Sequence, residues 1–259
     1  MLKKIILLLT LTLFVTSGCT KQSPKADLYQ TILKKNELSV GVSYDSKPFS
    51  FKDSDGKIKG IEPDLAREIA RRILGSDKKV LFKPVAPRDR MNAVTSGDVD
   101  MVMAEMTITP QRKKVVNFSN PYFVAGQAIC VKTKSDIDSY LDLNNKNVIV
   151  ILGTTGEINM RKLAPNALIQ GYINNSEAFS AFKQSDNDAI TTDDALLYGL
   201  TMGNKNYKIL PDRLSQEPYG IAFKKSKEAK SFKINLNKIL NDIDVDGTLD
   251  DIKEKWGVF

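Results

Sequence analysis

The chain has 259 residues, with 38 Lys and Arg against 31 Asp and Glu, a net charge of +7 and no histidine. The lack of histidine removes histidine-based triads and histidine metal ligands, and the two cysteines, Cys19 and Cys130, provide no intramolecular disulfide framework. The positive charge is spread along the chain without an aromatic-studded basic stripe, which argues against nucleic acid and leaves only a weak pull towards anionic lipid or anionic small molecules.

At the start, Lys3 and Lys4 precede an apolar run over 5–15 and then the small residues Thr16, Ser17 and Gly18, the pattern of a secretory signal peptide over 1–18. Its removal lowers the net charge from +7 to +5, because Lys3 and Lys4 leave with it. Cys19 directly after Gly18 resembles the acylated cysteine of a bacterial lipoprotein signal, although Thr16 stands where Leu is usual. That resemblance implies a lipid anchor at Cys19, in which each buried methylene contributes about 0.8 kcal/mol; ordinary signal cleavage is the alternative. Polar residues 19–26 with Pro24 suit a tether. No later run approaches the ~20 apolar residues of a membrane-spanning helix. About 235 residues remain, enough for one large or two small well-buried cores.

Beyond the tether the pattern predicts a short helix over 27–35, a strand over 38–43, a turn around Asp53 to Gly56 and a helix over 63–74. In that helix Leu65, Ala66, Ile69, Ala70, Ile73 and Leu74 share one face, with Pro63 at the start and Gly75 at the close. A strand over 80–85, a helix over 88–96 and a strand over 99–104 follow, giving the β-α-β-α-β alternation of an α/β unit with a mostly parallel sheet. From Gln127 the alternation restarts, with strands over 128–132, 148–151, 168–170 and 189–191 and helices after Thr155, from Ser176 and over 194–201. A strand over 219–223 and helices over 225–242 and 248–256 finish the chain.

Between the two alternating stretches, residues 104–122 place two hydroxyls and a guanidinium at the start of one short helix. Thr109 reads as its N-cap and Pro110 as its first residue, so the free N–H groups and the positive end of the dipole suit a small carboxylate, to which Arg112 adds a bidentate fork. Taken alone, the same residues equally describe a capped surface helix with a solvated Arg-Lys-Lys face.

The Thr107-Ile108-Thr109-Pro110-Gln111-Arg112-Lys113-Lys114 stretch, with Asn117-Phe118-Ser119-Asn120-Pro121-Tyr122, Gly60-Ile61-Glu62-Pro63-Asp64-Leu65, Gly97-Asp98-Val99-Asp100 and Tyr219-Gly220-Ile221-Ala222-Phe223, resembles the polar-amino-acid solute-binding proteins of ABC importers. The resemblance runs from about Glu37 to Trp256. It implies a two-lobed, periplasmic-binding-protein-like type II fold that closes on one amino acid, each lobe a mixed, mostly parallel sheet flanked by helices. Lobe 1 is expected over 27–124 with 219–259 and lobe 2 over 125–218. It further implies a monomer without cofactor or metal, which hands a free amino acid to a membrane permease.

Position by position, the resemblance places Arg112 on the ligand's α-carboxylate, with Thr107 and Thr109 near it, and Asp193 on the α-ammonium. The chemistry suits both, since a guanidinium matches two carboxylate oxygens and a carboxylate accepts from an ammonium. For Asp193, an N-cap of the following helix is the plainer reading. Thr154, Thr155 and Gly156 match a second-lobe loop at a helix start, and Ala104 and Glu105 fall beside the ligand. Ser46 stands where a stacking aromatic is common, leaving Tyr44 to supply one. Arg90 matches an arginine that reaches a distal carboxylate, or is an exposed helical arginine. Glu105 departs from the small or neutral residue usual in the family: it repels a distal carboxylate, pairs with Arg90, or receives a cationic side chain.

Glutamate, aspartate or glutamine is the expected ligand. A dehydratase acting on prephenate-like substrates, with Glu105 as general acid, is the enzymatic alternative on the same scaffold; an amino-acid sensor or adhesin is the third reading. No GxSxG, P-loop or CxxC motif accompanies the first of these alternatives.

Overall fold

A computed structural model describes residues 26–184 and 186–258, so the signal, Cys19 and nearly all of the tether lie outside the described residues. In chain order the elements are α1 (Leu28–Lys35), β1 (Leu38–Val42), β2 (Asp45–Ser46), β3 (Ser50–Lys52), β4 (Ile58–Lys59), α2 (Ile61–Leu74), β5 (Val80–Pro84), α3 (Arg90–Ser96), β6 (Met101–Val102), α4 (Pro110–Val115) and β7 (Val116–Ala125). They continue as β8 (Gln127–Lys132), β9 (Asn147–Ile151), α5 (Thr155–Leu163), β10 (Leu168–Tyr172), α6 (Asn175–Gln184), β11 (Ala189–Asp193), α7 (Asp194–Thr201), β12 (Tyr207–Ile209), β13 (Glu217–Lys224), α8 (Lys230–Val245) and α9 (Thr248–Lys255).

Two five-stranded sheets organise these elements: β5-β1-β6-β13-β7, and β10-β9-β11-β8-β12. The parallel share is smaller than the alternation predicts. In the first sheet β1 runs parallel to β5 and β6, whereas β13 is antiparallel to both β6 and β7. The second repeats this with β9 parallel to β10 and β11, and β8 antiparallel to β11 and β12. In the first sheet the antiparallel strands are β7 and β13, of which β7 leads out to β8 and β13 follows β12 back.

The ten-residue β7 was not separated from its motif by periodicity, because Pro121 interrupts it; the pairing with β13 absorbs that proline through register shifts near Gly220. The three-stranded β2-β3-β4 sheet was equally hidden, its strands being two or three residues long. The helix expected over 88–96 opens with a tight 3-10 turn at Pro87–Asp89, and the last long helix begins at Lys230 and runs to Val245 rather than starting at 225.

The expected strand over 99–104 pairs only at Met101 and Val102. Beyond them the chain leaves the sheet, and Glu105 takes a left-handed φ of 47°. That turn points Glu105 and Thr107 at the gap between the sheets, with Met106 between them buried in the core.

An aromatic cluster lies under this gap. Phe49 meets Phe123 and Tyr219 edge-on at ring distances of 5.0 and 5.2 Å, and Tyr122 tilts against Tyr219 at 6.4 Å. Such packing fixes the rings and so aims the two phenol hydroxyls upward. Gly60 makes the approach of α2 feasible: its φ is 129°, and a Cβ there would stand 2.2 Å from the Phe49 carbonyl oxygen. The close approach brings Glu62, in the first turn of α2, beneath the gap with no exposed surface.

Candidate functional site

Between the two sheets lies a narrow cavity, walled by Pro87, Arg90, Glu105 and Thr107 from one side and by Ile151, Thr154, Thr155, Gly156, Asn175, Thr192, Asp193 and Leu196 from the other. Its donors come first from α5. Thr154 caps that helix by accepting from the Glu157 N–H, which leaves the first-turn N–H groups directed at the cavity mouth of the helix. The Thr155 hydroxyl lies 3.4 Å from that of Thr107 and donates to Glu217 at 2.7 Å.

Two buried guanidinium groups back this wall. Arg112 donates to the Thr107 carbonyl at 2.8 Å and to the Gly153 carbonyl at 3.3 Å, standing one layer behind the cavity surface. Burial, then the neighbouring Arg90 charge, lowers its pKa to about 9, so it stays cationic at neutral pH. Arg90 lines the cavity itself, yet donates to the carbonyls of Pro87, Ala104, Glu105 and Gly153. It is 4 % exposed, which rules out the exposed helical reading.

Three carboxyl groups oppose them. Asp193 ends β11 and occupies the N-cap position of α7 but makes no capping bond; its carboxylate instead accepts from the Tyr219 hydroxyl across the gap. Burial raises its pKa to about 7, against the pull of the Tyr219 hydrogen bond. Glu105 accepts from the Ser43 hydroxyl at 2.8 Å, and its own N–H donates to Glu62 at 2.7 Å. Glu62 also accepts from the Tyr122 hydroxyl at 2.5 Å. Burial raises both glutamates, with mutual repulsion adding to the rise at Glu105.

Arg90, Glu105, Thr107, Thr154, Thr155, Gly156 and Asp193 therefore meet at one cavity, with Arg112 directly behind. Besides Arg112, four of the expected residues do not line it. Thr109 caps α4 by accepting from the Arg112 N–H, but the start of that helix lies off the cavity, whereas the start of α5 lines it. Tyr44 packs against the first core and borders an outer groove with Pro84 and Asn174, providing no aromatic wall. Side chains alternate on leaving β1, so Ser43 turning in to Glu105 sends Tyr44 outward. Ser46 accepts from the Asn175 amide at 2.9 Å and thereby ties the two sides together. Ala104 contributes a carbonyl to Arg90.

Asn175, Thr192 and Glu62 escaped the sequence. An acid in the first helical turn reads as a solvated dipole partner, and only the approach at Gly60 makes Glu62 buried.

The two sides touch closely enough that small residues are required. A Cβ on Gly199 of α7 would stand 2.5 Å from the Lys47 carbonyl oxygen of the opposite side. Gly199→Ala raises intrinsic helix stability by about 1 kcal/mol, whereas the clash costs the closed form about 1–3 kcal/mol. The expected result is a variant that folds normally but binds ligand about 5- to 150-fold more weakly. Small-angle scattering should show it expanded, and a compact, tight-binding variant would contradict this.

Comparison with known proteins decides the family. Residues 38–259 match the family model of bacterial extracellular solute-binding proteins, family 3. The chain belongs to that family. This family 3 solute-binding protein is 40% identical over 243 residues to the ABC transporter glutamine-binding protein GlnH of Bacillus subtilis, covering 93% of this chain and 88% of that protein. It is 39% identical over 215 residues to the glutamine-binding protein of Geobacillus stearothermophilus, covering 82% and 81%. An ancestral arginine-binding protein superposes with TM-scores of 0.80 bound to arginine and 0.78 bound to glutamine, at 42% and 44% identity; both cover 85% of this chain, with 98% and 97% of theirs. The fold is that of type II periplasmic amino-acid binding proteins. The chain is thus an extracytoplasmic solute-binding protein of an ABC transporter and not an enzyme, and the dehydratase reading is not favoured. Among the described residues no helix is long and apolar enough to cross a membrane.

Proposed function

We propose that this protein captures glutamine and presents it to the ABC permease. The observation that carries the choice is the state of Arg90: four backbone carbonyls take up its guanidinium, leaving no free fork for a distal carboxylate, while Glu105 stands on the same wall. An acidic side chain would face Glu105 without compensation. A carboxamide is neutral, donates to a carboxylate and accepts from a hydroxyl or amide, and so fits this wall best. Similarity to two glutamine-binding proteins supports the same reading.

In this reading the ligand's α-ammonium meets Asp193. The α-carboxylate meets the α5 N-terminus and the Thr107 hydroxyl, with the Arg112 charge behind them. The α-carboxylate is then held from both lobes, by Thr107 and the Arg112 charge from one and by the α5 N-terminus from the other, and hinge closure buries the zwitterion. The ligand shifts the open–closed equilibrium by its higher affinity for the closed form, and the permease reads the resulting shape.

A thermal-shift series across the twenty amino acids tests this. Glutamine should give the largest stabilisation, about 2.7 kcal/mol at a concentration 100-fold above Kd. A larger shift with glutamate or aspartate would return Arg90 to the role of carboxylate reader, and either result would exclude the carboxamide assignment.

We further infer that the mature protein is tethered by acylated Cys19, which the signal pattern ahead of it supports, and works as a monomer. Cys19→Ser should release the protein from membranes in a fractionation experiment. Retention of that variant on the membrane would sink the anchor.

A further inference from the structure

One feature of the cavity floor is not explained by holding a zwitterion. Each of the two buried glutamates has one satisfied and one bare oxygen: Glu62 Oε2 and Glu105 Oε1 have no hydrogen-bond partner. The remaining oxygens are committed, Glu62 to the Tyr122 hydroxyl and the Glu105 N–H, and Glu105 Oε2 to the Ser43 hydroxyl. Glu62 and Glu105 are joined through the Glu105 N–H and interact side chain to side chain, and two adjacent buried carboxylates cannot both be ionised cheaply; one proton held by the pair leaves a single negative charge.

We propose that Glu62 and Glu105 share one proton beneath the bound side chain, which makes Glu62 a specificity-determining residue that never touches the ligand. With the proton in place, the pair presents one delocalised charge, suited to a carboxamide. A cationic side chain such as arginine's favours the doubly ionised pair, so its binding expels that proton to solvent. The inference rests on the amino-acid reading above and adds a proton-dependent choice of side chain to it.

The groups facing the pair fit this role. Arg90, from α3, is the cation closest in influence; burial lowers its pKa against the pull of Glu105, and a guanidinium does not release its proton in this pH range. Tyr122 and Tyr219, from β7 and β13, are pushed well above the ordinary tyrosine range by burial and neighbouring carboxylates, so they stay neutral. Asp193 does titrate near neutrality, but it meets the α-ammonium common to all these ligands and cancels when two of them are compared.

Calorimetry of the intact soluble domain with glutamine and with arginine, in buffers of different ionisation enthalpy, tests the proposal. Arginine is expected to release about one more proton than glutamine, and the ratio of their affinities to move about tenfold per pH unit in arginine's favour as pH rises from about 5 towards the pair's titration. In Glu62→Gln the amide oxygen keeps both accepted bonds and its NH₂ donates to Glu105 Oε1, so the extra proton and the pH slope should vanish together. A flat affinity ratio in the unaltered protein, or a slope that survives in Glu62→Gln, overturns the shared proton. Undetectable arginine binding beside normal glutamine binding also overturns it while leaving the glutamine reading intact. Failure of every amino acid to bind would remove both.

Discussion

Arg112→Ala is expected to weaken amino-acid binding by about 2–5 kcal/mol, or about 30- to 5,000-fold, the usual cost of truncating one partner of a buried charge pair. Among the described residues the Arg112 guanidinium has only the Thr107 and Gly153 carbonyls as hydrogen-bond partners and forms no ion pair within 4.0 Å. A buried cation whose hydrogen-bond partners are neutral is compensated only at a distance, here by Glu217 and Asp193, and a ligand carboxylate would neutralise it directly. Arg112→Lys keeps the charge and loses the fork, so its affinity should fall between the two. Titration calorimetry reads all three. Unchanged affinity in Arg112→Ala would pass the anion-binding role to Arg90, which lines the cavity itself.

The main elements were legible because their signals are local. Asp27 caps α1, Gly75 closes α2, and β8 begins at Gln127, where the alternation restarts. The helix over 194–201 has the expected bounds. What escaped depends on neighbours distant in sequence. The β7–β13 pairing joins residues about a hundred positions apart, and no pattern within either segment reveals its partner.

The same distinction divides the site. Charged and hydroxyl residues at helix starts announce themselves, and Thr154, Thr155, Gly156 and Asp193 all reach the cavity. Orientation is another matter. Thr109 caps its helix as its sequence suggests, yet that helix end lies elsewhere, and Tyr44 turns outward by the alternation of an extended chain. Arg90 has the position of a side-chain reader, but four of its five N–H groups go to carbonyls, two of them brought near by the turn at Glu105.

Asp193 carries the second large expectation, in which stability and binding move in opposite directions. Burial raises its pKa from an ordinary 3.8 to about 7. Between those values the folded ligand-free protein holds a proton that the unfolded chain has released, so stability falls as pH rises from about 4 to about 7. The whole change amounts to about 4 kcal/mol from this group, complete above its folded pKa. A ligand ammonium reverses the penalty, because the ionised carboxylate then has a partner; affinity should accordingly drop about tenfold for each pH unit below about 7, where binding must first expel the proton. Asp193→Asn removes the titration while retaining an oxygen to accept from Tyr219. Urea unfolding of this variant should lose most of the downward slope between about pH 4 and 7 and show higher ligand-free stability above neutrality, while calorimetry finds binding weaker by about 2–5 kcal/mol. A variant that still binds the amino acid tightly would show that the ammonium lies elsewhere, and one that keeps the full slope would assign the buried proton to a different carboxyl, with the Glu62–Glu105 pair the nearest candidate.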